Sequence, residues 1–104
     1  MVETHKEFGL ADYLAEEGRL LITTPSFNLD TFPQLGERLV KLLSAQVLET
    51  QWDGDIHSWL IDFEGRHLFL KAEHYSEAVW FESLSVAESR EEMDFLAQLF
   101  RQQF

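Results

Sequence analysis

The amino-acid sequence predicts an α+β fold, a two-layer sandwich in which an antiparallel β-meander carries two amphipathic helices packed on one face. Turn signals between residues 47 and 84 separate four segments that are rich in strand-forming residues. Two other segments, near 31–44 and 87–103, place apolar residues at three- and four-residue steps, as amphipathic helices do. The length of 104 residues suits one domain, so residues 1–104 are expected to form a single α+β unit.

The first 18 residues are predicted to form a short helix or an ordered arm. Their apolar side chains lie at loosely helical spacing: Phe8, Tyr13 and Leu14. Gly18 follows as a suitable C-cap, because glycine readily adopts the left-handed conformation that ends many helices. The apolar and β-branched residues at 19–24 then predict a strand, which Pro25 ends.

A helix is predicted over 31–44. Asp30 or Thr31 can cap its first turn, and Thr31 with Gln34 forms a capping-box pattern. Pro33 is tolerated in the first turn, where its missing N–H has no partner within the helix. The apolar residues recur on one face of this helix: Phe32, Leu35, Leu39, Leu42 and Leu43.

The three turns of the meander agree on one apolar face, which supports the pairing that they imply. Asp53-Gly54 and Glu64-Gly65 are two-residue hairpin signals, and 74–77 is a four-residue connection. The shared face comprises Leu48, Thr50, Trp52, His57, Trp59, Ile61, Phe63, Leu68, Leu70, Ala72, Val79 and Phe81. Its large aromatic members are predicted to form the core under the helices: Trp52, Trp59, Phe63 and Phe81.

The last element is predicted to be a helix over about 86–103. Ser85 with Glu88, and Ser89 with Glu92, both offer capping boxes at its start. Its apolar stripe comprises Met93, Leu96, Ala97, Phe100 and Phe104. Because this stripe and that of the first helix both need an apolar partner, the two helices are expected to cover the same face of the sheet.

The composition excludes several classes of function. A net charge of −11 disfavours direct nucleic-acid binding, because that affinity comes largely from Lys and Arg. The absence of cysteine removes disulfides, cysteine zinc sites and thiol catalysis. No apolar run reaches the length of a membrane span, about 20 residues, and residues 1–7 lack the features of a signal peptide. The protein is therefore expected to be soluble and cytoplasmic, without a membrane partner.

The four histidines do not suggest a metal site. The predicted pairing places His57 on the apolar face and His67 on the opposite face, so they cannot converge on one ion. Asp62 should lie directly across from His67, which predicts a cross-strand ion pair. The ring of His57 should be satisfied by Thr50 or by a loop carbonyl. No phosphate-binding loop or catalytic motif occurs, so the sequence assigns no cofactor, no metal ligand and no catalytic residue.

Several short motifs resemble those of one family. They are Asn28-Leu29-Asp30, Phe32-Pro33, Gln51-Trp52, His57-Ser58-Trp59-Leu60, the Glu64-Gly65 turn, Tyr75-Ser76 and Phe95-Leu96-Ala97. The family comprises small acidic bacterial proteins, mainly of marine and enteric-type gammaproteobacteria, and is catalogued as a domain of unknown function. The resemblance implies a bacterial cytoplasmic protein of this size, and it implies no activity and no functional residue.

The opposite face of the predicted sheet carries a possible interaction surface. It comprises Leu60, Phe69, Trp80, Leu84, His67 and Asp62. Aligned apolar residues on neighbouring strands approach the few hundred square ångströms that usually mark a contact surface. Three interpretations stay open for this face. It binds a second copy or a protein partner, it is a simple exposed patch, or the N-terminal segment with Phe8, Leu10, Tyr13 and Leu14 covers it.

Three classes of function are compatible with these observations. We favour a non-catalytic protein-interaction or adaptor domain, which predicts an exposed apolar patch. The first alternative is an acidic nucleic-acid mimic that occupies a DNA-binding protein, with its surface on residues 46–84, where two basic and eight acidic residues lie. The second alternative is an enzyme of unrecognised class, which predicts a concave pocket with convergent polar groups.

Overall fold

The structure, a computed structural model, describes residues 7–104. Within them, six antiparallel strands form one sheet: β1 (Gly9–Leu14), β2 (Arg19–Thr23), β3 (Gln46–Asp53), β4 (Ile56–Phe63), β5 (Arg66–Glu73) and β6 (Ala78–Ser83). Their order across the sheet is β1-β2-β6-β5-β4-β3. Two helices, α1 (Phe32–Leu42) and α2 (Arg90–Arg101), share one core with the sheet. The predicted α+β sandwich is confirmed.

Alternating side chains of the central strands form the buried layer between the sheet and the helices. In β4 every second residue is buried, from His57 to Phe63, and the residues between them are partly exposed. The helices contribute their inner faces to the same core: Phe32, Leu35, Leu39, Val40, Met93, Leu96, Ala97 and Phe100. The predicted turns at Glu64-Gly65 and 74–77 are confirmed by the pairing of the strands that they join.

The predicted N-terminal helix is wrong where the structure describes it, because this part of the chain forms β1 and a single 3₁₀ turn, Ala15–Glu17. Residues 1–6 of the predicted arm lie outside the described residues. A bulge follows Leu10 in β1, and both Leu10 and Tyr13 pair with buried residues of β2. The bulge therefore breaks the two-residue alternation that would have marked this segment as a strand.

The first turn of the meander lies one residue later than predicted. Asp53 pairs with Ile56, so the two-residue loop is Gly54-Asp55. Gly54 has a φ of 60°, which the first central position of a type II′ turn requires. This loop moves the pairing by two residues, an even number, and Trp52 therefore keeps its predicted face.

Both helices begin in a different way from the prediction. Asn28 replaces the predicted capping box of α1, since its Oδ1 accepts the N–H groups of Asp30 and Thr31, each at 2.9 Å. The hydroxyl of Thr31 accepts the N–H of Asn28 at 2.8 Å instead of capping the helix. α2 begins at Arg90 rather than near Val86, without a side-chain cap. Neither of these helices, within the described residues, is long and apolar enough to cross a membrane.

Gly36 allows α1 to approach the sheet closely. A Cβ atom at this position would lie 2.8 Å from two ring atoms of Trp59, closer than carbon atoms normally approach. The ring of Trp59 also meets Phe32 edge-on, with 5.3 Å between the ring centroids. The missing side chain at residue 36 therefore sets the distance between α1 and β4.

Candidate functional site

Five residues of the predicted interaction surface lie on the sheet face opposite the helices, which we call the open face. Strand pairing places Leu60, Phe69, Trp80, His67 and Asp62 there, and the sixth, Leu84, lies beyond the last paired residue of β6. Leu60 lies directly across from Phe69, and Asp62 across from His67. Leu84 follows the end of β6 and is the most exposed apolar member at 56%. The structure thus brings the five paired residues onto one face, in neighbouring rows.

The N-terminal segment does not cover the open face in the part of the chain that the structure describes. Phe8 is buried in the core on the other side of the sheet, with 1% of its surface exposed. Leu10 and Tyr13 pack against the same core. The covering arm is therefore wrong for residues 7–14, and both helices also lie on the core side.

One carboxylate organises the centre of the open face. Glu82 accepts hydrogen bonds from Lys71 Nζ at 3.3 Å and from Trp80 Nε1 at 3.2 Å, and Arg19 Nε lies 3.8 Å from it. Lys71 Nζ also lies 5.2 Å from the ring centroid of Phe69. Charged side chains thus partly cover the apolar ones. The predicted cross-strand pair is present in the next row, where His67 Nε2 and Asp62 Oδ2 are 3.7 Å apart.

β3 is an edge of the sheet and is exposed along its whole length. All eight of its residues are exposed, and within residues 7–104 it pairs only with β4. A bulge between Val47 and Glu49 puts Val47 across from Ile61 and leaves Leu48, which was expected on the apolar face, outside the regular pairing. Three large apolar side chains are exposed along this strand: Val47 at 37%, Leu48 at 46% and Trp52 at 54%.

A groove between β3 and α1, which we call the β3–α1 groove, contains a cavity of about 400 Å³. It is lined by Pro33, Glu37, Val47, Thr50, Gln51, Trp52, His57 and Trp59. His57 and Trp59 of β4 are almost fully buried and form its floor. Pro33 and Glu37 are four residues apart and therefore share one side of α1, which forms the wall opposite β3.

Trp52 is predicted to be a core residue, and this prediction is wrong. Its side chain lies on the predicted face, but β3 is the outermost strand and the residue is more than half exposed. The indole is nevertheless held in place. Its Nε1–H donates to the Gly54 carbonyl at 2.9 Å, and its ring lies against His57 with 4.7 Å between centroids.

His57 joins the groove to the core. Its Nε2 lies 2.9 Å from the carbonyl oxygen of Leu29, which confirms the prediction of a loop carbonyl as its partner. Its ring is stacked between Trp52 and Phe32, whose centroid is 5.1 Å away. The exposed indole therefore rests on a chain of packed rings that continues into the core.

The clearest pKa shifts lie away from this groove, where β1 meets α2. Tyr13 Oη donates to Asp94 Oδ1 at 2.5 Å. Burial, and then this hydrogen bond, raise the pKa of Tyr13 to about 12. The same hydrogen bond lowers the pKa of Asp94. Across residues 7–104, no group of three potential metal ligands is close enough to hold an ion.

A family model described as "Protein of unknown function (DUF3630)" matches residues 8–101. The chain belongs to this family. The match extends from the residue before β1 to the last residue of α2, and it therefore includes the whole sheet, the groove and both helices. The resemblance to a family of unknown function is confirmed, whereas the gammaproteobacterial origin stays a prediction. Comparison with curated proteins and with solved structures gives no match.

The groove is the feature that the sequence analysis missed. A signal was present, because five of the eight residues of the segment 46–53 are polar and a tryptophan lies beside its tight turn. Such a strand fits an edge better than a central position. The pairing of β2 with β6, rather than with β3, decides that β3 is an edge.

Proposed function

We propose that this protein is a non-catalytic protein-interaction domain, which binds an extended segment of a partner along the outer edge of β3. The observation that carries the proposal is an eight-residue edge strand, exposed at every residue, beside an aromatic-lined groove. Extended segments commonly bind by adding a strand to such an edge. Main-chain hydrogen bonds then supply affinity, and neighbouring pockets select side chains.

The second half of β3 is the part best suited to receive a strand. Residues 50–53 pair regularly with β4, without the bulge that disturbs the first half. Asp53 and Ile56 close a two-residue turn as a hydrogen-bonded pair. Hydrogen-bonded and non-hydrogen-bonded pairs alternate along an antiparallel ladder, so the main-chain groups of Thr50 and Trp52 point away from β4. These groups are the donors and acceptors that an added strand would use.

The same region carries the apolar surface that an interaction domain requires. Val47, Leu48 and Trp52 are exposed on one strand, and Leu42 at the end of α1 is also exposed at 53%. Trp52 is already fixed by its hydrogen bond and by stacking on His57, so binding costs little further side-chain entropy. Fixed aromatic residues of this kind are enriched among residues that dominate binding energy.

The alternative functions receive less support from the same geometry. An acidic nucleic-acid mimic needs exposed carboxylates in regular rows, but the open face mixes both signs, with Arg19 and Lys71 beside Glu82. The groove contains one carboxylate, Glu37, and a histidine whose Nε2 is engaged by a carbonyl. This set favours recognition over acid–base chemistry. The open face is a second candidate contact surface within the same proposed function.

The test compares the β3 edge with the open face by affinity capture from a bacterial cell extract, at low and at high salt. Thr50→Pro removes an outward N–H at an edge position where proline fits, and Thr50→Val is its matched control. The double variant Phe69→Ser, Trp80→Ala alters the open face. Proteins retained by the wild type and by Thr50→Val should be lost with Thr50→Pro, while circular dichroism shows that all variants fold.

Two results would contradict the proposal. Loss of the retained proteins with the open-face variant, but not with Thr50→Pro, would move the contact to the open face. Retention of nothing beyond the unmodified resin at either salt concentration would argue against a protein-interaction function.

A further inference from the structure

Resting on this proposed function, we propose that the β3–α1 groove selects a lysine or arginine side chain of the bound segment. The cation would lie between the carboxylate of Glu37 on α1 and the indole of Trp52 on β3, both of which line the cavity. The partner is then an extended segment with one basic residue at a defined position. The edge strand alone does not specify which kind of side chain occupies the groove.

The geometry of strand addition brings a side chain to this groove. An added strand lies about 4.8 Å from its neighbour, and its side chains alternate between the two faces of the sheet. Thr50 and Trp52 pair with Trp59 and His57, so their side chains are on the core side of β3. A residue of the added strand on that side would therefore point beside Thr50 and Trp52, at the mouth of the groove.

The charge of the groove favours a cation. Among the residues that the structure describes, Glu37 is the only acidic one that lines it, and neither lysine nor arginine does. On α1, Arg38 is engaged by Glu7 at 2.9 Å and Lys41 lies one turn beyond Glu37, outside the lining. The only charged residues of β3 itself are Glu49 and Asp53, so the edge repels an acidic segment and attracts a basic one.

The aromatic lining adds a second interaction for the same ligand. Tryptophan attracts a cation above its ring face more strongly than phenylalanine or tyrosine does. Trp52 is held against His57 on one side, and more than half of the residue is exposed to an incoming ligand. Arginine can stack on this ring while pairing with a carboxylate, and lysine can place its ammonium there. A cavity of about 400 Å³ accommodates either side chain.

The charge also argues against a second copy as the occupant. Each chain carries a net charge of −11, and two copies joined at β3 would bring together two edges that each carry Glu49 and Asp53. Like charges across an interface oppose association. A basic segment of another protein would instead be attracted to the acidic edge. Added salt would screen this attraction and weaken binding.

The inference can be tested by selection from a phage library of random nine-residue segments on the immobilised full-length protein. The wild type should enrich Lys or Arg at one fixed position. Glu37→Lys should reverse the preference at that position to Asp or Glu. Glu91→Lys is the matched control, because it makes the same charge change at an exposed position of α2 outside the groove, and it should leave the preference for Lys or Arg in place.

A selected segment, synthesised as a peptide, gives the magnitude. Replacing its basic residue by alanine, or Trp52 by alanine in the protein, should each weaken binding about tenfold in fluorescence anisotropy. Circular dichroism and a thermal melt check that each protein variant is folded. Added salt should weaken binding of the parent peptide more than that of its alanine version.

The possible failures separate the two proposals. Segments that depend on Thr50 but show no basic position, or whose basic position is unaffected by Glu37→Lys, overturn the cation inference and leave strand addition intact. If every selected segment binds the wild type and Thr50→Pro equally well, strand addition is overturned as well. A wild-type dimer in sedimentation velocity that Thr50→Pro converts to a monomer would make a second copy the occupant and overturn the basic partner.

Discussion

The two outermost strands of the sheet, β1 and β3, each pair with one neighbour within residues 7–104, but they differ in how the rest of the chain holds them. At the β1 edge, the main chain of Phe8 exchanges two hydrogen bonds with Phe104, at 2.6 and 2.9 Å. Tyr13, near the other end of β1, is tied to Asp94 of α2. β3 has no comparable contact with the termini among the described residues, and all of its side chains are exposed. The availability of an edge is thus decided by the rest of the chain more than by the strand's own composition.

The largest expected effect is a loss of stability at the β1 edge when the side chain of Phe8 is truncated. This residue is 1% exposed and its ring lies 6.0 Å from that of Phe104, centroid to centroid. We expect Phe8→Ala to lower the free energy of unfolding by about 3–5 kcal/mol, because it leaves a cavity in the core. Denaturant unfolding at pH 7 measures this value. A loss below about 1 kcal/mol would show that β1 is not part of the core.

A smaller effect is expected from Tyr13→Phe, which removes only the hydrogen bond to Asp94. Because both groups are at the surface, we expect a loss of about 0.5–1 kcal/mol at pH 7. The bond lowers the folded-state pKa of Asp94 below its value in the unfolded chain. Its contribution is therefore present above the unfolded pKa and disappears as the pH falls through the folded one. Wild type and variant should have the same stability in denaturant melts near pH 2.

The titration of Tyr13 at alkaline pH offers an independent check of the same hydrogen bond. The pKa of Tyr13 is raised from 10.0 to about 12. The contribution of its neutral hydroxyl to folding stability is therefore complete below pH 10 and is lost as the pH rises toward 12. The chain has two tyrosines, and Tyr75→Phe leaves Tyr13 as the only one. Absorbance at 295 nm in this variant should then titrate near pH 12. A midpoint near 10 would contradict the hydrogen bond between Tyr13 and Asp94.

The smallest effect on stability is expected at the other edge, from Trp52→Ala. The side chain is large, but more than half of it is exposed, so we expect a change below about 1 kcal/mol in the free energy of unfolding. The same substitution should strongly weaken binding of a selected segment. A stability loss comparable with that of Phe8→Ala would mean that Trp52 belongs to the core and that the two edges are equivalent.

Much of the fold could be predicted because its determinants are local. Glu64-Gly65 forms the expected tight turn with positive φ at both residues, 54° and 80°. The inner faces of both helices, and the alternation in β4 to β6, follow from hydrophobic periodicity. Strand β1 could not be recognised, since its bulge breaks the two-residue alternation of a regular strand.

The candidate site was less accessible to prediction because it depends on long-range pairing. Nothing local in residues 19–24 indicates whether that strand pairs with β3 or with β6. Pairing with β3 would have covered the strand edge that borders the β3–α1 groove. Local turns suffice to put Leu60, Asp62, His67, Phe69 and Trp80 on one face, and their role in an interaction stays a prediction. The Glu82 network that partly covers this face joins three strands. The register of β3 identifies the face on which Trp52 lies, and that face predicts a core position. It does not indicate whether a helix extends far enough to cover the residue.

The three tryptophans have separate environments, and this gives the protein a built-in set of optical reporters. Trp59 is buried beneath α1, Trp80 is partly exposed on the open face, and Trp52 is exposed at the β3 edge. Versions that keep one tryptophan, with phenylalanine at the other two positions, would therefore emit at different wavelengths. A partner that binds the edge would shift the emission of Trp52 alone, one that binds the open face would shift Trp80, and unfolding would shift Trp59 most. Intrinsic fluorescence can thus locate an unknown partner on the surface without an attached dye.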